Sequence, residues 1–205
     1  MQVAVLTFDG FNELDSFIAA AILNRQRAKG WRALITSPSK SVTSMNGVTI
    51  EAQRDLEFAA EADAVIIGSG TKTRDIARDE ALLAQLRRMD PARQLIGAQC
   101  SGTLLLSRIG LLGDRPACTD LTTKPWVVEA GVRVLDQPFY ADGNIATAGG
   151  CLASQYPAAW ILLRAAGEED ARSALHYVAP VGQKEEYVSR ALASVKPFVS
   201  VARAA

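Results

Sequence analysis

Histidine is almost absent: the 205 residues hold one, His176. A cysteine hydrolase normally recruits a histidine as base, so any such chemistry rests on this residue or on a different kind of partner. An excess of charge of one sign is also missing. Lys plus Arg number 22 and Asp plus Glu number 22. With no basic excess and no basic run, nucleic acid and anionic membranes are not expected partners. Long apolar runs are lacking too. Ser, Arg, Gly or Asp interrupts every stretch well short of the about 18 apolar residues a membrane span needs. Cysteine is scarce: Cys100, Cys118 and Cys151 are odd in number and lack metal-type spacing. Neither a disulfide framework nor a bound metal or other cofactor is expected. The opening MQVAVLTFDGF has no positive n-region and no apolar h-region, so it reads as a strand rather than a signal peptide, and the cytoplasm is the expected compartment. What remains, 49% hydrophobic and 21% charged residues, is ordinary globular composition. Residues 1–205 read as a single domain.

Strand and helix signals alternate along the chain. Val3 to Phe8 is an apolar run of strand length. Leu14, Phe17, Ile18, Ala21 and Ile22 then mark one helix face, stopped at Lys29–Gly30. Trp31 to Thr36 is the next strand, and Asn46-Gly47 within Val42 to Glu51 signals a hairpin. Asp63 to Ile67 and Gln94 to Ala98 read as buried strands. Between them a polar helix is predicted over about Arg74 to Met89. Cys100 to Leu112 reads as a central helix, apolar nearly all round. Further strands are predicted at Val132 to Phe139 and Asn144 to Ala148, and helices at Leu152 to Ala166, Glu169 to Tyr177 and around Tyr187 to Val195. The pattern implies an α/β fold: a mostly parallel sheet with helices on both faces.

The densest chemical signal is Leu95-Ile96-Gly97-Ala98-Gln99-Cys100-Ser101-Gly102. An apolar strand meets a helix with a nucleophile at the joint and small residues around it, the arrangement of a nucleophile elbow with Cys in place of Ser. The N–H groups of Cys100 and Ser101 are expected to point outward at the helix start and to hold developing negative charge. The same helix end is expected to lower the thiol pKa. Cys118 reads as a packed core residue. Cys151 follows Gly149-Gly150 at another strand-to-helix joint. Such joints open at one sheet edge, so Cys151 and Gly150 are possible pocket residues, although a packed small cysteine is the simpler reading. His176 sits in the apolar Ala174-Leu175-His176-Tyr177-Val178 and reads as structural. The acid/base role then falls to a carboxylate or water. Asp15 is the foremost candidate, because it borders the apolar face of its helix, where a carboxylate needs a partner or a raised pKa. Asp9 and Glu13 read as turn and cap residues. Gly68-Ser69-Gly70-Thr71 matches no phosphate-loop pattern; Gly70 is assigned one oxyanion N–H facing Cys100.

The elbow around Cys100, the following Leu104 to Leu112 and Gly113-Asp114-Arg115, and Ile145-Ala146-Thr147-Ala148-Gly149-Gly150 together resemble the ThiJ/PfpI superfamily over about residues 2 to 166. The resemblance implies a flavodoxin-like three-layer sandwich related to class I glutamine amidotransferase domains, a reactive elbow cysteine, a small-molecule substrate and a homodimer. Within the superfamily, Phe8 to Asp15 is most similar to the isocyanide (isonitrile) hydratase branch. That implies Cys100 as nucleophile toward an isonitrile carbon and Asp15 as proton carrier, with a hydroxyl residue at Ser101. Many relatives carry a histidine where Asp120 stands here, after Thr119. Asp120 is therefore a possible pocket residue, and protease-like Cys–His readings are disfavoured. Ser16-Phe17-Ile18-Ala19 and Ala153-Ser154-Gln155-Tyr156 also depart from the family pattern. Two alternatives stay open: another activity of the superfamily, on glyoxal-type carbonyls or amides, and a non-enzymatic redox-sensing or chaperone-like dimer in which Cys100 oxidises to sulfinate.

Overall fold

The computed structural model describes residues 1–199. Residues 200–205 of the span read as one domain lie outside the described residues. Its centre is a six-stranded sheet made of β1 (Gln2–Leu6), β2 (Arg32–Thr36), β5 (Ala64–Ile67), β6 (Leu95–Gln99), β7 (Phe139–Asp142) and β8 (Ile145–Ala148), in the order β2-β1-β5-β6-β8-β7. All neighbours pair in parallel except β7, which runs antiparallel to β8 at one edge. A separate hairpin joins β3 (Ser41–Thr43) to β4 (Thr49–Glu51), as Asn46-Gly47 predicts.

Strand side chains alternate between the sheet's faces, and the two faces bury separate cores. Val3, Val5, Ala64 and Ile66 point to one side and pack with α1 (Glu13–Leu23), α7 (Gln155–Ala165), α8 (Glu168–Val178) and α9 (Lys184–Val195). Ala4, Leu6, Val65, Ile67, Ile96 and Ala98 point to the other side. There they meet α2 (Phe58–Glu61), α4 (Glu80–Leu86), α5 (Gly102–Arg108) and α6 (Lys124–Glu129), with α3 (Thr73–Ile76) beside α5. The result is the expected α/β three-layer sandwich. No helix among the described residues is long and apolar enough to cross a membrane.

Several boundaries differ from the sequence reading. The helix predicted over Arg74 to Met89 is two helices, α3 and α4. Asp79 breaks it, because its carboxylate caps a new helix start by accepting from the N–H groups of Ala81 and Leu82. The helix expected to reach Leu112 ends at Arg108, followed by Gly110 at φ +83°. Val132 to Phe139 is not a strand: only an isolated bridge joins Ala117 to Val134, and pairing begins at Phe139, just after Pro138, which has no N–H to give. The helices α2 and α6 have no counterpart in the sequence reading.

Candidate active site

The site is built where β1, β5, β6 and β8 end, on adjacent positions of the sheet. Asp15 follows β1, Ser69 and Gly70 follow β5, Cys100 follows β6, and Cys151 follows β8. Asn12 begins α1 by accepting from the Leu14 N–H at 3.1 Å, which fixes the helix entry and sets Asp15 in its first turn, fully buried.

Cys100 is the only non-glycine residue among the described residues with positive φ, +48°. For a residue with a Cβ that conformation costs about 1–2 kcal/mol. The surrounding loops impose it. Cys100 N–H donates to the Ala148 carbonyl at 2.9 Å, extending the β6–β8 ladder. The Cys100 carbonyl accepts from the Thr119 hydroxyl at 2.8 Å. Behind it, Gly102 lies so close to β5 that a Cβ there would stand 2.7 Å from the Gly68 carbonyl oxygen and collide with that of Ile67. The elbow is therefore present, but its Cys100 N–H is spent on Ala148 and does not point outward as the sequence suggested. The Ser101 N–H has no hydrogen-bond acceptor among the described residues.

Gly70 also departs from its expected role. Its N–H donates to Ser101 Oγ at 3.2 Å, the Ser101 and Thr73 hydroxyls are 2.8 Å apart, and Thr73 Oγ1 donates to the Gly70 carbonyl at 2.8 Å. One proton per hydroxyl satisfies this ring if Ser101 donates to Thr73. Gly70 lines the cavity, but its N–H is already engaged, so it is not a free oxyanion donor. Its glycine is required by packing instead: a Cβ would lie 2.5 Å from the Gly10 carbonyl oxygen.

The carboxylate of Asp15 and the sulfurs of Cys100 and Cys151 all lie within 4.8 Å of one another. The Ser69 hydroxyl donates to Asp15 Oδ2. The Ser154 hydroxyl sits 3.4 Å from Oδ1 but 2.7 Å from the Cys151 carbonyl, and its single proton belongs to the shorter contact. Asn12 Nδ2 reaches Cys151 Sγ at 3.1 Å. Gln99 Nε2 lies 3.4 Å from Cys100 Sγ and donates to the Gly150 carbonyl at 2.8 Å. Burial pushes the Asp15 pKa up, against the pull of hydrogen bonds from Ser69 and the two thiols. Burial first, and the nearby Asp15 charge second, push the Cys100 and Cys151 thiols up as well. Here the sequence reading is corrected: burial and the Asp15 charge raise the Cys100 thiol where the helix end was expected to lower it. Asp15, Cys100 and Cys151 are also the one set of His, Cys, Asp or Glu groups among the described residues close enough to hold a metal ion, which their sequence spacing does not reveal.

A cavity of about 580 Å³ opens over this cluster. Cys100, Cys151, Ser69, Asn12 and Asp120 face it, and Met45, Leu121 and Trp126 supply apolar wall. Its volume suits a small molecule. Asp120 stands on the wall, its Oδ1 accepting from the Thr123 N–H at 2.9 Å. Gly150, at φ +91°, forms the bend before Cys151 rather than the wall itself. His176 is elsewhere: half-exposed on α8, 3.7 Å from Glu185, and absent from the cavity. Cys118 is buried, its thiol pushed up to about 12. Asp9 pairs with Lys72, and Glu13 holds Ser44 and Asn46 of the hairpin, so both are tethers of surrounding loops.

Residues 1–159 match the DJ-1/PfpI family. The chain belongs to that family. Among its relatives is a protein named deglycase TK1284 from Thermococcus kodakarensis, 26% identical over 149 residues, which cover 70% of this chain and 87% of that one. Another is an isonitrile hydratase from Pseudomonas putida, 24% identical over 157 residues, 75% of this chain and 67% of that one. In three dimensions the chain is similar to Schizosaccharomyces pombe DJ-1, with a TM-score of 0.74 at 18% identity, covering 88% of this chain and all of the other (100%). It is also similar to a ThiJ/PfpI family protein from Pseudomonas syringae, with a TM-score of 0.75 at 19% identity, covering 97% and 88%. These likenesses establish the DJ-1/PfpI fold, and the curated relatives show that the family includes enzymes with different named activities.

Proposed function

We propose that this DJ-1/PfpI chain is a cysteine-dependent hydratase of isonitriles, converting R–N≡C and water to the N-formamide R–NH–CHO. The observation that carries the reading is the buried Asp15 carboxyl within 4.8 Å of Cys100 Sγ, under a cavity that no histidine lines among the described residues. The isonitrile hydratase relative supports the same choice of substrate class.

The chemistry follows from where the proton sits. Asp15 keeps its proton to higher pH than an ordinary carboxyl and delivers it to the terminal isonitrile carbon. Cys100 sulfur bonds to that carbon as its own proton passes to Asp15, giving the thioimidate R–N=CH–S–Cys100. Asp15 then gives its proton to the imine nitrogen as water adds to the same carbon, and the carboxylate so formed accepts a proton from that water. The C–S bond breaks as the carbon's hydroxyl becomes the formyl carbonyl, and the hydroxyl proton passes through Asp15 to the departing sulfur, restoring thiol and acid as the formamide leaves. No group is expelled in the first step. The free Ser101 N–H and the Gln99 amide, 3.4 Å from the sulfur, are the donors available to the departing sulfur. The homodimer implied by the family resemblance belongs to the same proposal; Leu14 and Phe17 on α1 and Met45 leave apolar surface for it, and light scattering tests it.

The test is an assay of formamide production from aryl and alkyl isonitriles, run beside consumption of a glyoxal-type carbonyl. Wild type should turn over the isonitrile, Cys100→Ala should not, and Asp15→Asn should lose about 10²- to 10⁴-fold, the usual contribution of general acid–base catalysis. Turnover of the carbonyl but of no isonitrile would assign the chain to the activity its deglycase relative is named for.

A further inference from the structure

We propose that Cys151 is a resolving thiol: when a hydroperoxide oxidises Cys100, Cys151 captures the product as a Cys100–Cys151 disulfide, so that the site is switched off reversibly instead of being destroyed. The inference rests on Cys100 being the reactive thiol of the proposed hydratase, but on none of the isonitrile chemistry.

The juxtaposition is specific. Cys100 and Cys151 come from different strand ends, residues 100 and 151, yet their sulfurs lie within 4.8 Å of each other and of Asp15. Cys151 is partly exposed on the cavity wall, where a peroxide or a reductant reaches it, whereas Cys100 is buried beneath. Cys151 opens a short 3-10 turn, Cys151–Ser154, directly after Gly150 at φ +91°, and a Cβ placed on Gly150 would meet nothing within 4 Å. That bend has room for the small shift that brings the sulfurs to bonding distance, about 2.05 Å. Cys118 takes no part: it is fully buried, its N–H donates to Thr147 Oγ1 at 2.8 Å, and it does not line the cavity.

The steps balance. Cys100 sulfur attacks the distal peroxide oxygen. The S–O bond forms, the O–O bond breaks, and the thiol proton leaves with the alcohol ROH, Asp15 being placed to pass it on. Sulfur is oxidised by two electrons and the peroxide is reduced by two. Cys151 sulfur then attacks Cys100 sulfur, the S–O bond breaks, and water departs with the Cys151 proton. A dithiol reverses the disulfide. Without a neighbouring thiol the sulfenic acid meets a second peroxide and becomes sulfinic acid, which a dithiol does not reverse.

The experiment treats the purified protein with two equivalents of an alkyl hydroperoxide, reads the intact mass before any alkylation, and then blocks free thiols with N-ethylmaleimide for a non-reducing peptide map. Wild type should lose about 2 Da, yield one cross-linked pair of peptides containing Cys100 and Cys151, and return to its starting mass with dithiothreitol. Cys118→Ser should behave the same. Cys151→Ser should instead gain about 32 Da on Cys100 and keep it after dithiothreitol. Wild type carrying that sulfinate while Cys151 is alkylated would overturn the proposal. An unmodified Cys100 after two equivalents of peroxide would also overturn it. No substrate is used, so loss of the hydratase reading and loss of this one are separate results.

Discussion

At the scale of single residues, burial favours the protonated forms of both a carboxyl and a thiol, and this sets the behaviour of the site. Burial raises Asp15 above the ordinary carboxyl range. The acid form therefore persists at pH values where an exposed aspartate is ionised, and it is lost as pH rises through the raised pKa. If the acid form protonates the isonitrile carbon, kcat/KM should fall with rising pH on a limb that belongs to Asp15. A pH–rate profile checks this: the limb should be present in wild type and missing in Asp15→Asn, whose amide does not titrate. Cys100 was legible in the sequence as a nucleophile between small residues; Asp15 was picked out beside the face of Leu14 and Phe17, which the structure leaves exposed while burying Asp15 itself. Ser69 and Asn12 were not legible. Serine and asparagine carry no local signal for a partner supplied by another strand end: Ser69 acts here on Asp15 and Asn12 on Cys151, both far away in sequence. The direction of the Cys100 shift was also hidden, because desolvation depends on what packs around the elbow and not on the elbow itself.

At the scale of elements, the site depends on how closely the loop after β5 approaches the start of α5. Gly102 has no space for a Cβ against the carbonyls of Ile67 and Gly68. Gly102→Ala should therefore push α5 off the sheet and destabilise the fold by about 1–3 kcal/mol, the usual cost of overpacking, with urea denaturation as the measurement. An unchanged midpoint would show that the contact yields easily. The elements themselves were legible where periodicity was long, as in α7 and the buried strands; α1 was placed, but its inner face was not, since Leu14 and Phe17 are exposed and Asp15, Ser16, Ala19, Ile22 and Leu23 are buried. The reading failed where a short polar interruption decides the outcome. Asp79 splits one predicted helix in two by capping the second. Lys124–Glu129 hides an α-helix in six residues, too few for a helical period to show. Pro138 displaces the start of β7.

At the scale of the whole molecule, the parallel order β1-β5-β6-β8 brings residues 15, 69, 100 and 151 to one sheet edge, while His176 is carried away on α8. The scarcity of histidine thus acquires a structural meaning: the only imidazole is not at the cavity, and a carboxyl stands beside the thiol instead. His176→Gln should leave kcat/KM within about twofold and the pH–rate profile unaltered, since this surface residue supplies neither acid nor base to the cavity. A tenfold loss there would place the base in the wrong part of the fold. The central claim, addition of Cys100 to an isonitrile carbon with Asp15 moving the proton, is tested most directly by intact-protein mass spectrometry of the wild-type reaction quenched in acid during turnover. The account predicts a gain equal to the whole mass of the isonitrile, located on the peptide containing Cys100 and absent in Cys100→Ala, because addition expels nothing. No adduct on Cys100 at any time point, together with no formamide from wild type, would contradict it.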